Sequence, residues 1–192
     1  MIDFLESVDH TLILNINGCN SEWMDQFMWF FSGPFIVIPI VLLISWTLYK
    51  SYSLRESGWI LFGIIITIAL ADLSSVYLFK EVFMRYRPSH HIELSQQLHF
   101  YQFDNGDFYQ GGKYGFVSSH AANYFALLVL VYGLIQQFWM KFLLVSIVLI
   151  ILYSRVYLGV HYVSDVICGA ILGYLIAKLV LHFLILKQIK RR

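Results

Sequence analysis

The sequence predicts an all-α integral membrane helical bundle: about five transmembrane helices plus an N-terminal amphipathic surface helix. Three observations predict it. Of 192 residues, 59% are hydrophobic and only 13% are charged, with a mean hydropathy of +0.68, which lies outside soluble composition. The apolar residues gather in runs of roughly 20, the length that crosses a bilayer core as helix. Lys and Arg divide unevenly among the connections, which sets an orientation.

Residues 1–24 form an interfacial segment. Ile2, Leu5, Val8, Leu12 and Ile13 recur at helical spacing opposite Asp3, Glu6, Asp9 and His10, and Asn17-Gly18 ends the pattern. The helix this predicts is too short and polar to span and lies on the surface. The segment contains no Lys or Arg, so no signal-peptide pattern is expected. The first span is expected over residues 27–49, kinked by Pro34 and Pro39. Residues 58–79 give a second span that carries Asp72, and residues 119–135, 139–158 and 163–186 give three more. Residues 80–118 form an aromatic-rich outer loop with turn signals at Asp104-Asn105-Gly106 and Gly111-Gly112. The chain reads as a single domain over residues 1–192, with no internal repeat and no linker.

Five spans put Lys50, Arg55, Lys141 and the tail (Lys187, Lys190, Arg191, Arg192) on one side, assigned to the cytoplasm. Lys80, Arg85, Arg87, Lys113 and Arg155 then face outward. Positive charge on the outer side calls for another reason, and anion binding supplies one. A net charge of +1 gives no basis for a nucleic-acid partner. Cys19 and Cys168 form neither a disulfide framework nor a metal motif.

Three clusters lie at span ends on this outer face. Lys80 and Arg87 stand seven residues apart, two turns if the helix continues, and either grip a phosphate together or snorkel as anchors. Ser118-Ser119-His120 opens the third span, where serines cap a helix whose free N–H groups suit an anion. Ser154–Asp165 holds Arg155, His161 and Asp165 at the edge of an apolar segment, where ionisable groups usually mark function. If residues after Gly159 are helical, His161 and Asp165 share one face, as a catalytic pair, a metal-ligand pair or a buried structural pair.

These clusters resemble the three signatures of the type-2 phosphatidic acid phosphatase superfamily, in order. Lys80 to Pro88 matches K-x6-R-P, Ser118 to His120 most of P-S-G-H, and Ser154 to Asp165 S-R-x5-H-x3-D. Val117 stands where the family has proline and Ser119 where it has glycine. The resemblance implies a membrane lipid phosphatase that needs no metal or other cofactor. It implies His161 as nucleophile, Asp165 as its orienter and His120 as general acid and then base. Lys80, Arg87, Ser118, Ser119 and Arg155 would hold the phosphate oxygens. Lipid A phosphate, undecaprenyl diphosphate, phosphatidylglycerol phosphate and phosphatidate are the implied substrates, met at the outer face of a bacterial inner membrane with the C-terminus cytoplasmic.

Two other classes compete. A lipid transporter would use the buried charge as a translocation site, but the paired prolines of the first span have no counterpart later. A metal-dependent hydrolase would draw on His90, His91 or His99 with His120 or His161. Phe100, Tyr101, Phe103, Phe108 and Tyr109 suit either a cap over the site or interfacial anchoring, Asp72 a functional or a bundle-internal role, and Arg85 a substrate or a headgroup contact.

Overall fold

Helices form where the apolar runs lie, but local capping decides their ends. The computed structural model describes residues 2–189, and of Ile2 and Asp3 the backbone alone. Lys190, Arg191 and Arg192, which weigh in the charge bias, lie outside the described residues, as do the side chains of Ile2 and Asp3. In order, the helices are α1 (Ile2–Gly18), α2 (Glu22–Ser32), α3 (Val37–Ser51) and α4 (Leu54–Ser74). Then come α5 (Glu81–Phe83), α6 (Ser119–Tyr132), α7 (Phe138–Tyr157) and α8 (Val163–Val180). A π-helical stretch, Ser75–Lys80, joins α4 to α5 without a break.

Four of these runs are long and apolar enough to cross a membrane: Pro34–Ser51, Leu54–Phe83, Phe138–Tyr157 and Val163–Ile185. The fifth apolar helix, α6, has 14 residues, about 21 Å at 1.5 Å each, and stops at Tyr132 rather than at residue 135. It is the bundle's inner helix, with Ala121, Ala122, Ala126, Leu130 and Val131 all buried. Around it Val41, Leu42, Ile65, Ile171 and Leu175 are exposed, the inside-out pattern of a bundle dissolved in lipid.

The expected kinked span over residues 27–49 is two helices. Helix α2 is capped at Ser21, whose side chain accepts from the Met24 N–H, and it ends at Gly33. Pro34 lacks an N–H and so opens the next helical turn instead of bending the old one. Pro39 lies in the first turn of α3 and is accommodated there.

Helix α1 is amphipathic as expected, and part of its polar side packs on the protein. Leu5, Val8 and Leu12 are exposed, whereas Asp9, Ile13 and Asn17 are buried. Beside a membrane bundle, apolar side chains can face lipid while polar ones find partners in the protein. Asn17 fastens α1 by donating to the carbonyls of His99 and Tyr157, 2.7 Å each, and accepting from the His99 N–H.

The closest helix crossing joins α6 to α8. A Cβ on Gly169 would lie 2.5 Å from the Ser118 carbonyl oxygen and 3.1 Å from Ala121 Cβ, and one on Gly173 would collide with the Ala122 carbonyl. Small residues four apart let backbones approach where lipid gives no hydrophobic drive for packing. This crossing sets the starts of the two helices side by side, and the Ser118 N–H donates to the Asp165 carbonyl at 3.0 Å. Gly173→Val is therefore expected to cost about 1–3 kcal/mol by overpacking. Ile171→Val, on the exposed face, should be close to neutral in unfolding measured in detergent.

Candidate active site

Three segments converge at one end of the bundle, where α5 ends and α6 and α8 begin. The first is steered by its termination. Met84 adopts a left-handed conformation (φ 46°) and ends α5, and Arg87, which precedes Pro88, is extended. The expectation that Lys80 and Arg87 share two turns of one helix is therefore corrected: Lys80 is helical and Arg87 is not. The extended piece pairs with the segment before α6, Arg87 N–H donating to Lys113 O (3.1 Å) and Gly115 N–H to Arg85 O (2.9 Å). Alternate residues of an extended segment share a side, so Arg85 and Arg87 both reach the His161–Asp165 pair while Tyr86 faces out.

His161 and Asp165 form that pair across a helix start, not along a helix as the spacing suggested, because α8 begins only at Val163. Asp165 caps the helix by accepting the Tyr162 N–H on Oδ2 at 3.0 Å. The same Oδ2 lies 3.4 Å from His161 Nδ1. This is longer than a good hydrogen bond, and His161 Nδ1 has no hydrogen-bond partner among the described residues. Catalytic hydrogen bonds are often long before substrate binds. Both side chains are almost wholly buried.

On the other side of the imidazole, Arg87 Nη1 lies 3.0 Å from Nε2 and donates to Val160 O (3.2 Å), and Arg87 Nε donates to Tyr114 O (3.2 Å). A guanidinium has only donors, so Nε2 must accept and the imidazole proton belongs on Nδ1, toward Asp165. Burial and then the charges of Arg87, Arg155 and Lys80 hold His161 well below the usual histidine range, so it is neutral. Burial, with Arg155 close by, pushes Arg87 down to about 10, which still leaves it a cation at neutral pH.

Ser118 caps α6 through Oγ, accepting the Ala121 N–H. Its own N–H is engaged by Asp165, so Ser118 shapes the site rather than facing it. Lys80 Nζ donates to Ser119 Oγ at 2.5 Å, and Ser119 also meets Ser75 Oγ at 2.6 Å. The wide turn at Ser75–Lys80 thus joins the first signature to the second; such turns recur at functional sites. The Phe116–Val117 peptide bond is cis. Arg155 is buried, with Nη1 on Ser32 Oγ and Nη2 3.0 Å from the Tyr109 hydroxyl, which ties the aromatic loop to the site. Its Nε has no hydrogen-bond partner among the described residues. His120, in the first turn of α6, lines a cavity of about 340 Å³ walled by Ile40, Ile44, Ile64, Ile68 and Leu127.

Other residues find different places. Asp72 accepts from Asn123 Nδ2 (3.2 Å), a tie inside the bundle. His99 pairs with Asp25 at 2.7 Å and His90 with Ser89. Among the described residues, the trio placed to hold a metal is Glu6, His10 and His91, which includes neither His120 nor His161. Sequence reasoning gave no role to Asp9, on the polar face of α1, or to Gly115. A Cβ at Gly115 would lie 3.0 Å from both Arg87 Cγ and Asp165 Oδ2. Its position three residues before Ser118, the first of the Ser-Ser-His turn, was the available signal.

The PAP2 superfamily model matches residues 57–188. A lipid A 4'-phosphatase of Bacteroides thetaiotaomicron is 34% identical over 173 residues, 90% of this chain and 75% of that protein. One from Porphyromonas gingivalis is 27% identical over 179 residues, 93% of this chain and 74% of that protein. The crystal structure of a transmembrane PAP2-type phosphatidylglycerolphosphate phosphatase from Bacillus subtilis aligns with a TM-score of 0.69 at 22% identity, covering 97% of this chain and 88% of that one. Aquifex aeolicus LpxE aligns with a TM-score of 0.63 at 20% identity, covering 90% and 94%. The chain belongs to the PAP2 superfamily, and it is a bacterial membrane lipid phosphatase, a phosphoric ester hydrolase. Gly115→Ala should displace Arg87 or Asp165 by a few tenths of an ångström or more, and kcat is expected to fall on the order of 10- to 100-fold, with the fold retained by thermal unfolding.

Proposed function

We propose that this protein removes a phosphate from lipid A at the outer face of the bacterial inner membrane, through a phosphohistidine on His161. The observation that carries the mechanism is the buried imidazole held between Arg87 at Nε2 and Asp165 at Nδ1. Nε2 carries a lone pair and attacks phosphorus, and the bond from phosphorus to the lipid oxygen breaks. Arg87 Nη1 transfers its hydrogen bond from Nε2 to a phosphate oxygen, while Lys80, Arg155 and Ser119 meet the others as charge builds. Asp165 stabilises the positive charge that appears on the imidazole. His120 gives a proton to the departing lipid oxygen, then takes one from water as that water attacks the phosphohistidine and frees inorganic phosphate.

Lipid specificity is supported by two observations. The cavity at His120 is walled by apolar side chains of α3, α4 and α6 at membrane depth, so a leaving group beside His120 has an acyl environment. Two relatives that cover most of this chain are lipid A 4'-phosphatases. The outward placement rests on Lys50, Arg55, Lys141 and Lys187 gathering at the opposite ends of the spans, the side that the positive-inside rule gives to the cytoplasm.

Purified protein is expected to release phosphate from lipid A faster than from undecaprenyl diphosphate, phosphatidylglycerol phosphate or phosphatidate. Preference for one of those three would reassign the substrate, and lipid transport without phosphate release would overturn the enzyme reading. Turnover should persist in excess chelator; its loss would favour a metal-dependent route. His161→Ala should abolish turnover, and His120→Asn should lower it by about 10²- to 10⁴-fold. A cysteine at Asn105 should react with an impermeant reagent from outside the cell; labelling only from the cytoplasm would invert the topology.

A further inference from the structure

Arg85 lies outside the signature residues, yet it holds the catalytic pair from behind. Its Nη1 donates to Asp165 Oδ1 (3.0 Å) and to Ser164 Oγ (2.8 Å), and its Nη2 donates to Asp9 Oδ2 (2.9 Å). Its guanidinium carbon sits 4.1 Å from the centre of the Tyr162 ring. Asp9, on α1, also accepts the Ser164 N–H on Oδ1 (3.0 Å) and the Ser164 hydroxyl on Oδ2. Its side chain is only 6% exposed, and that of Asp165 is fully buried.

The geometry divides the carboxylate of Asp165 by function. Oδ1 belongs to Arg85, and Oδ2 to the Tyr162 N–H and His161 Nδ1. With both oxygens pinned, the carboxylate cannot rotate away from the imidazole. A buried carboxylate also needs a counter-charge to stay ionised, and Arg85 is the cation hydrogen-bonded to it. A lone guanidinium could swing toward the phosphate; the second carboxylate, Asp9, fixes the other arm of its fork. We propose that Arg85, seated by Asp9 of the N-terminal helix, is a positioning residue that fixes Asp165 Oδ2 beside the Nδ1 proton of His161, so that the imidazolium formed as Nε2 attacks meets its counter-charge. The proposal rests on His161 being the nucleophile. It makes α1 part of the catalytic apparatus and not merely a surface helix.

A purely structural ion pair would hold α1 in place and leave turnover per folded molecule unchanged. A positioning pair lowers kcat while phosphate binding stays as it was, since neither residue bonds any of the groups assigned to the phosphate. Arg85→Gln is expected to lower kcat by about 10- to 100-fold, as loss of an orienting partner does, with KM and the inhibition constant for inorganic phosphate near the wild-type values. Arg85→Lys should recover part of the loss, because one ammonium cannot fork between two carboxylates. Asp9→Asn should cost less, and the double variant should match Arg85→Gln alone, since Asp9 acts through Arg85.

The second arm needs no substrate. ¹⁵N-histidine spectra of the whole protein in detergent, with the His161 signals identified by their loss in His161→Ala, are expected to show Nδ1 protonated in the wild type. In Arg85→Gln Nδ1 should stay protonated, because Arg87 still donates to Nε2, but its proton resonance should move upfield as Asp165 turns away. Unchanged kcat in folded Arg85→Gln, additive losses in the double variant, or an unmoved Nδ1 proton resonance would overturn the proposal. So would a rise in the phosphate inhibition constant that matches the loss in kcat, which would make Arg85 a phosphate ligand. A wild-type protein that releases no phosphate would defeat the proposed function, and the spectra would still decide the role of Arg85.

Discussion

Arg87 has no lone pair to give, and that fact orders the centre of this molecule. With Nη1 3.0 Å from His161 Nε2, it makes that nitrogen the acceptor and sends the imidazole proton to the side facing Asp165. A buried histidine in this state is neutral, oriented and nucleophilic before any substrate arrives. The cost of the arrangement is a cation and a carboxylate out of water, and each must be hydrogen-bonded to be tolerated. Arg87 is met by the carbonyls of Tyr114 and Val160, and Asp165 by the Tyr162 N–H and the Arg85 guanidinium.

The rest of the fold can be understood as what brings these groups within reach. Gly169 and Gly173 let α8 lie against α6 so closely that the Ser118 N–H bonds directly to the Asp165 carbonyl, which brings the two helix starts together beside His161 and Asp165. Gly115, lacking a side chain, lets Arg87 and Asp165 come close to its backbone. The outer loop is held by rings and caps rather than by regular structure: Trp29 stacks on Tyr101 at 4.6 Å, and Tyr157 donates to Asp25 at 2.6 Å. Tyr109 carries that scaffold onto Arg155.

Much of the fold was legible because lipid imposes length on apolar runs, and the π turn, the long fourth helix and the last two spans fall within those runs. What escaped was set by single backbone positions. Pro34 breaks the first run because the missing N–H suits a helix start better than a kink. Met84 takes a left-handed conformation usual for glycine, so nothing in its identity warned that Arg87 leaves the helix. Asp9 was given no role because helical periodicity marks a polar face but not whether that face meets water or protein. The histidines, Lys80, Arg87 and Arg155 were legible as ionisable groups at span ends. Ser118 was legible as a cap, which it is. That Arg85 and Asp9 flank the same carboxylate was not legible, since 76 residues separate them in sequence.

The central claim is that phosphorus is transferred to His161 Nε2. The most direct measurement is to mix enzyme with ³²P-labelled lipid A, quench within one turnover in alkali, where a phosphohistidine survives, and map the labelled peptide. The account predicts acid-labile label on the peptide containing His161, and none in His161→Ala. Steady phosphate release with no label on the protein, or with label on another residue, would contradict it.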